Sequence, residues 1–349
     1  MVAGRNLWRR LALGGIIAAG LCLRLIIAWT DTSALVSKAL PDDAFYYFVV
    51  VEKALAGQGV TFDGLAPTNG FHPLWALLLA PIFTLSPTRD LALHLALTLA
   101  ALLDAATIYL AYRAARRLAG GGMAAGLWAA ALYAFNPRLI LENINGLETA
   151  ASTLAFALFA VGALEIRPAA PRAKPYLLLG ALAGLAVWGR TDALLAVGVV
   201  GLDILLRRRA RAFVPLACMG VAALFVLSPW LVWNQLTFGT PLQTSGVAVP
   251  YVVRIYLFEL SALAGALRLL GPYLYLASEL TQMLIEYAGL PLAILLAYLL
   301  WRLTRDRQSF QGTARDGWLA PLLGAGLIVV AHAFVRFFLR GWYFIPLVF

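Results

Sequence analysis

The chain has 349 residues, 62% of them hydrophobic and 13% charged, with a formal net charge of +10. Soluble domains carry roughly a quarter charged residues, so this composition excludes a single soluble core and defines an integral membrane protein. The basic excess falls in short runs between apolar segments, the pattern of cytoplasmic loops rather than of a nucleic-acid-binding surface.

The N-terminal run around RNLWRRLALGGIIAAGLCLRLIIAWT resembles a signal peptide, but Arg24 interrupts it and no cleavage site follows, so a retained signal anchor is expected. Leu21 before Cys22 argues against a lipoprotein. Cys22 and Cys218 both lie in apolar segments, so neither a disulfide framework nor a thiolate metal site is expected. With about 20 apolar residues needed per span, the candidate spans are 11–29, 90–112, 122–136, 147–165, 176–189, 193–206, 212–233, 285–301 and 317–334. A tenth begins near 342 and the chain stops inside it. With the N-terminal Arg5, Arg9 and Arg10 in the cytoplasm, alternation puts every later basic run there as well. These runs are Arg113–Arg117, Arg167–Lys174, Arg207–Arg211 and Arg302–Arg315. Residues 73–86, PLWALLLAPIFTLS, are short and contain two prolines; counting them as a crossing would invert this order, so they read as an interfacial helix. The fold class is thus all-α and polytopic, a single domain over 1–349 with long outer loops at about 30–89 and 234–284.

Acids gather on the outer side: Asp31, Asp42, Asp43, Glu52, Asp63, Asp90, Glu142, Glu148 and Asp192. In LPDDAFYYF (40–48), Pro41 suits a helix start, and Asp42 and Asp43 suit its positive end, with Gly57 as the stop. The acids could merely cap an interfacial helix. Other clusters share their side of the membrane, however. TFDGLAPTNGFHPLW carries Asn69 and His72, and NINGLETA carries Glu148. VWGRTDALL sets Arg190 and Asp192 between two apolar segments, either as a mutually neutralising pair or facing water. HAFVRFFLRGWYFIP adds Arg336, Arg340, Trp342 and Tyr343. Carboxylates can take a proton from a hydroxyl, guanidinium groups fit phosphate, and aromatics such as Tyr46 and Tyr47 give sugar rings a face. A lipid-linked sugar phosphate needs all three.

At these residues the sequence resembles the GT-C glycosyltransferases, in particular the branch of protein O-mannosyltransferases and the lipid A aminoarabinose transferase. PDDAFYYF looks like the acidic pair of that family's first outer loop. TNGFHPLW, NGLET, GRTD, SPWLVWNQLTFGTPLQTSG and RGWYFIP follow in the family's order. The resemblance implies a GT-C-type bundle of about 9–10 membrane helices in a bacterial plasma membrane. It also implies a cytoplasmic N-terminus, an extracytoplasmic active face, and truncation at Phe349 relative to longer family members. The implied reaction transfers a sugar, usually with inversion, from a polyprenyl-phosphate donor to a hydroxyl of a glycan, lipid or protein. In this reading Asp42 is the catalytic acid and Asp43 its second position. His72, where many members have Lys, joins Arg190, Arg336, Arg340 and Tyr343 at the donor phosphate, and Tyr46, Tyr47, Asn69, Glu148 and Asp192 hold sugar or acceptor. Asp42, Asp43 and Glu148 could also ligate Mg or Mn. The rival readings are a multi-spanning transporter or flippase of a lipid-linked or anionic substrate, and a non-catalytic subunit that binds lipid-linked glycans.

Overall fold

The computed structural model describes residues 2–166, 173–246 and 319–334, with isolated helical positions at Ala248, Tyr251, Ala277 and Thr281. Among them the regular structure is helical, apart from one isolated bridge between Thr61 and Pro67, with non-helical turns and loops between the helices. In chain order the helices are α1 (Val2–Ala28), α2 (Thr32–Lys38), α3 (Asp42–Leu55), α4 (Pro73–Leu85), α5 (Arg89–Leu118) and α6 (Met123–Ala134). There follow α7 (Pro137–Asn143), α8 (Thr149–Glu165), α9 (Ala173–Gly189), α10 (Ala193–Arg208), a 3-10 turn at Arg209–Ala212, α11 (Phe213–Phe238) and α12 (Leu319–Phe334).

Eight of the nine expected spans coincide with helices α1, α5, α6 and α8–α12; the span at 285–301 and the tenth segment lie outside the described residues. Length separates these helices. Arg10–Ala28, Arg89–Leu118 and Ala193–Phe238 are long and apolar enough to cross a membrane, whereas α6, α8 and α9 have only 12–17 residues. The stretch 193–238 is two helices, because Arg209 breaks it with φ 50°. Gly201 on α10 lies beside Leu216 on α11, which requires the chain to fold back on itself there. Large apolar side chains point outward on several of these helices, among them Phe213, Val221, Phe225 and Leu236 on α11. Apolar surface on this scale marks contact with a membrane or a partner.

Two elements differ from expectation. The short connection between the expected spans 122–136 and 147–165 contains α7: Asn136 accepts the N–H groups of Arg138 and Leu139, and Pro137 holds the first helical position. Helix α11 runs on to Phe238 and ends at Gly239, which has φ +71°, so the expected outer loop begins later than 234. The expected interfacial helix at 73–86 is present as α4. It packs Trp75 and Leu79, both fully buried, against α3, α5, α8 and α9.

Small residues set the close contacts. On α9, Gly180 and Gly184 lie one turn apart and face α11, where a Cβ at Gly180 would come within 2.2 Å of the Met219 carbonyl oxygen. This is the small-residue packing that membrane helices use in place of a hydrophobic driving force. Polar packing joins α1, α5 and α6. Arg24 donates to Asp104 and to the carbonyls of Gly20 and Ala134, while Tyr133 and Asn143 donate to Asp104 at 2.8 and 2.9 Å. Both charges are completely buried. An Arg and an Asp inside apolar helices are tolerable because each satisfies the other, and Arg24 Nη1 finds two backbone carbonyls, although its Nη2 has no hydrogen-bond partner.

Breaking this pair one side at a time is therefore the severe lesion. Asp104→Ala should cost about 3–5 kcal/mol, while the double replacement Arg24→Met/Asp104→Leu should recover most of that loss. Thermal unfolding of the purified variants in one detergent checks this: a double mutant no more stable than the single would contradict it.

Candidate functional site

Helix α3 is built to carry its acids at a positive end. Pro41 occupies the N-cap in extended conformation, Asp42 and Asp43 fill the first turn, and Lys53 lies in the last. Its C-terminus closes in a Schellman arrangement: Gln58 N–H donates to the Lys53 carbonyl and Gly57 N–H to that of Ala54, with Gly57 at φ +75°. Asp42 accepts the N–H of Asp43 at 3.0 Å, and both carboxylates are exposed.

The helical repeat divides the two acids. Asp43 shares a face with Tyr47, Val50 and Ala54, whereas Asp42 shares one with Tyr46 and Val49. On the first face Tyr47 is buried; its hydroxyl donates to Glu148 Oε2 at 2.9 Å and accepts the His72 N–H at 3.0 Å. On the second, the Tyr46 hydroxyl pairs with that of Thr68 and its ring stacks on Phe62 with centroids 5.0 Å apart.

Glu148 is the hub. It occupies the N-cap position of α8 yet makes no capping bond, because its carboxylate is engaged elsewhere. Arg190 Nη1 donates to Glu148 Oε1 at 2.8 Å, and His72 Nε2 lies 3.7 Å from the same oxygen. Asp192 repeats the pattern at the N-cap of α10, where its carboxylate takes Arg190 Nη2 at 2.8 Å instead of capping the helix. Two acids in capping positions are thus committed to one guanidinium. The loop that delivers Glu148 is held tightly. Gly146 adopts φ +78°, and a Cβ there would meet Ala44 and Leu40 at 3.0 Å, while Trp75 Nε1 donates to the Gly146 carbonyl at 2.9 Å. The start of α3 therefore rests directly on the Glu148 loop.

A strap from α11 and the residues after it closes one side. Asn69 donates to Asn234 Oδ1 at 2.9 Å and accepts the Thr244 hydroxyl at 2.7 Å, and Thr191 donates to Gln243 at 2.9 Å. Beside this polar network lies an apolar cavity of about 330 Å³, lined by Val50, Val51, Phe71, Trp188, Trp230 and Trp233. The Trp230 and Trp233 rings stack with centroids 5.0 Å apart, and Phe71 meets Trp230 edge-on at 5.4 Å.

Of the residues singled out in the sequence, Tyr47, His72, Glu148, Arg190 and Asp192 are joined in one network, and Asn69 anchors the neighbouring strap. Arg336, Arg340 and Tyr343 lie outside the described residues. Asp42, Asp43 and Glu148 are not gathered into a group of three able to hold a metal ion; no such group occurs among the described residues. Sequence reasoning missed Asn234, Gln243 and Thr244. Their signal was weak, because isolated amides and hydroxyls at a helix end look like ordinary turn residues.

Comparison of the chain with protein-family models, with curated proteins and with solved structures finds no match in any of the three. The class that the described residues define by themselves is a mostly helical protein with membrane-length apolar helices, a buried ionic network and an apolar cavity lined by neighbours of its residues.

Burial, reinforced by the charge of Glu148, raises the Tyr47 phenol well above its ordinary value. A raised phenol pKa stabilises the fold below the unfolded tyrosine value, and this stability disappears as pH climbs above about 10. Tyr47→Phe should remove that alkaline component. It should also cost about 1–3 kcal/mol at neutral pH, since Glu148 and the His72 N–H each lose a partner in a buried setting. Melting temperatures of both proteins between neutral and alkaline pH test this; parallel curves would contradict the role given to Tyr47.

Proposed function

We propose that the protein is a membrane glycosyltransferase that moves a sugar from a polyprenyl-phosphate donor to a hydroxyl acceptor. The observation that carries this reading is the buried Arg190 guanidinium, bonded to Glu148 and Asp192, while Trp188, two residues before it, and Phe71 and Pro73, either side of His72, line a tryptophan-rich apolar cavity. A prenyl chain suits the cavity, and a phosphate suits the guanidinium. A carboxylate at the opening suits an incoming hydroxyl.

Arg190 is already compensated. Its Nη1 meets Glu148, and its Nε and Nη2 meet Asp192. A donor phosphate has to replace one of them, and although Asp192 takes two nitrogens of the fork it is the more accessible: its side chain is 14% exposed against 6% for Glu148, which Tyr47 also retains. The donor therefore takes the Nε/Nη2 edge of Arg190. His72, beside Glu148, adds a second donor for the phosphate.

The transfer forms a bond between the acceptor oxygen and the anomeric carbon, and breaks that carbon's bond to the phosphate oxygen. The electron pair leaves with the prenyl phosphate, and the hydroxyl proton passes to Asp42. Asp42 faces outward, where an acceptor arrives, and Tyr46, on the same face of α3, flanks the sugar, while the buried Tyr47 ties the start of α3 to Glu148.

The reading places the 58–70 loop outside the cell and the N-terminus in the cytoplasm. Leu65 is 90% exposed at the tip of that loop. Leu65→Cys should react with a membrane-impermeant thiol reagent in intact cells, and labelling only after lysis would reverse the topology.

Asp42→Asn keeps size but cannot accept the proton, so turnover should fall by about 10²–10⁴ with donor KM nearly unchanged. Asp43→Asn should lower it less. Arg190→Lys should raise donor KM about tenfold or more, and Asp192→Asn, which removes the competing carboxylate, should lower it. Steady-state kinetics with a purified enzyme and a defined donor decide this. Undiminished transfer by Asp42→Asn would remove the base, and donor KM moving the same way in both Arg190 and Asp192 variants would remove the exchange at Arg190.

A further inference from the structure

Behind α3, away from the Glu148–Arg190 network, lies a second cavity of about 560 Å³ that the proposed transfer does not use. Helix α3 forms the wall between the two. Val50, Val51 and Ala54 line the tryptophan cavity, while Phe45, Val49, Glu52 and Ala56, spaced by three or four residues, face the second. Its depth is apolar: Val36, Phe45, Phe48, Phe83 and Leu93 line it, with Phe48 and Phe83 rings 5.5 Å apart. Its rim carries Glu52, Lys53, Arg89 and Asp90, with Thr32 and Gln58 between them.

The rim is charged but balanced, with two cations and two anions. Arg89 grips Glu52 through Nε at 2.9 Å and Nη2 at 2.8 Å, leaving its Nη1 edge toward the outside, where the side chain is 86% exposed. Lys53 Nζ makes a 3.3 Å bond to the neutral Gln58. Asp90 accepts the Thr32 hydroxyl and lies 3.8 Å from His94 Nε2, with its side chain 62% exposed. Both signs of charge are therefore available at the mouth of a pocket whose interior is hydrocarbon and aromatic.

We infer that this cavity binds a zwitterionic phospholipid, with the phosphodiester on Arg89 and Lys53, the ammonium on Asp90 and Glu52, and the first part of the acyl chains against Phe45, Phe83 and Leu93. The complementarity selects against the alternatives. An anionic headgroup would face Asp90 without offering it an ammonium, and a cationic amphiphile would leave Lys53 with only the neutral Gln58, whereas Arg89 and Glu52 already answer each other and favour neither sign. The volume falls within the range of about 300–1,000 Å³ typical of ligand pockets, enough for a headgroup and proximal chains while the tails remain in the bilayer. The rim belongs to the ends of α3 and α5, the same end of the molecule as the expected membrane interface. The inference rests on the membrane setting of the helices and not on the transferase reading.

The test is native mass spectrometry of the full chain, purified in detergent and titrated separately with dioleoyl-phosphatidylethanolamine, dioleoyl-phosphatidylglycerol and inorganic phosphate. Phosphatidylethanolamine should be retained about tenfold more tightly than phosphatidylglycerol, and phosphate alone should not be retained, since one charged hydrogen bond and the apolar contacts separate them. Arg89→Gln and Asp90→Asn alter exposed side chains and should leave the melting temperature unchanged, yet each should weaken phosphatidylethanolamine about tenfold. Val49→Trp, which fills the cavity, should abolish binding. Equal retention of the two lipids, retention of phosphate alone, or phosphatidylethanolamine binding indifferent to all three substitutions would overturn the assignment.

Discussion

A buried guanidinium has to be answered by charge, and the architecture around Arg190 follows from that requirement. The residue sits at the turn between two apolar helices, where isolated charge is costly. Glu148 and Asp192 answer it from the N-terminal ends of α8 and α10, and both forgo capping their own helices to do so. Because Glu148 must reach Arg190, the 144–148 loop must hold its shape, which Gly146, Trp75 and Tyr47 enforce. Because Tyr47 belongs to α3 and Gly146 packs against Ala44 near its start, the position of Asp42 and Asp43 is fixed by the same demand. A single electrostatic constraint thus links four segments far apart in sequence.

The Arg24–Asp104 pair obeys the same rule deeper among the helices, yet its consequences differ. There every strong acceptor is inside the protein, and the charges join three helices without opening to a cavity. At Arg190 the carboxylates bond the guanidinium beside an apolar hollow and a set of exposed acids. The first arrangement is a clamp, whereas the proposed transfer asks the second to give up one of its two carboxylates to the donor.

Much of the helix layout was legible in the sequence, because apolar run length is a one-dimensional signal. The helices near 90, 147, 193 and 319 follow directly from it, and α4 was readable from Pro73 and the charge asymmetry of its flanks. Membrane-spanning length was less legible: α6 and α8 are shorter than the runs 122–136 and 147–165, α9 is longer than 176–189, and none of the three is long enough by itself to count as a span. At the site, Glu148, Arg190 and Asp192 could be marked as unusual because charge inside apolar sequence stands out. The pairing of Arg190 with Asp192 was one of two readings of that turn, but the pairing with Glu148 could not be read, since it joins positions 42 residues apart through a loop whose path depends on Gly146. The Asn69–Asn234–Thr244 strap was illegible for a related reason, as neutral polar residues carry no distinctive cost until tertiary packing buries them. Asp104 was overlooked although Arg24 implied a buried partner.

The central claim is that this network supports transfer of a sugar off a lipid carrier, not passage of the carrier across the bilayer. The most direct measurement uses purified protein in sealed liposomes loaded with a radiolabelled polyprenyl-phosphate hexose and a hydroxyl acceptor. The account predicts that label leaves the prenyl carrier and appears on the acceptor, with free prenyl phosphate formed in equal amount. Label that crosses the bilayer still attached to its intact carrier would contradict it.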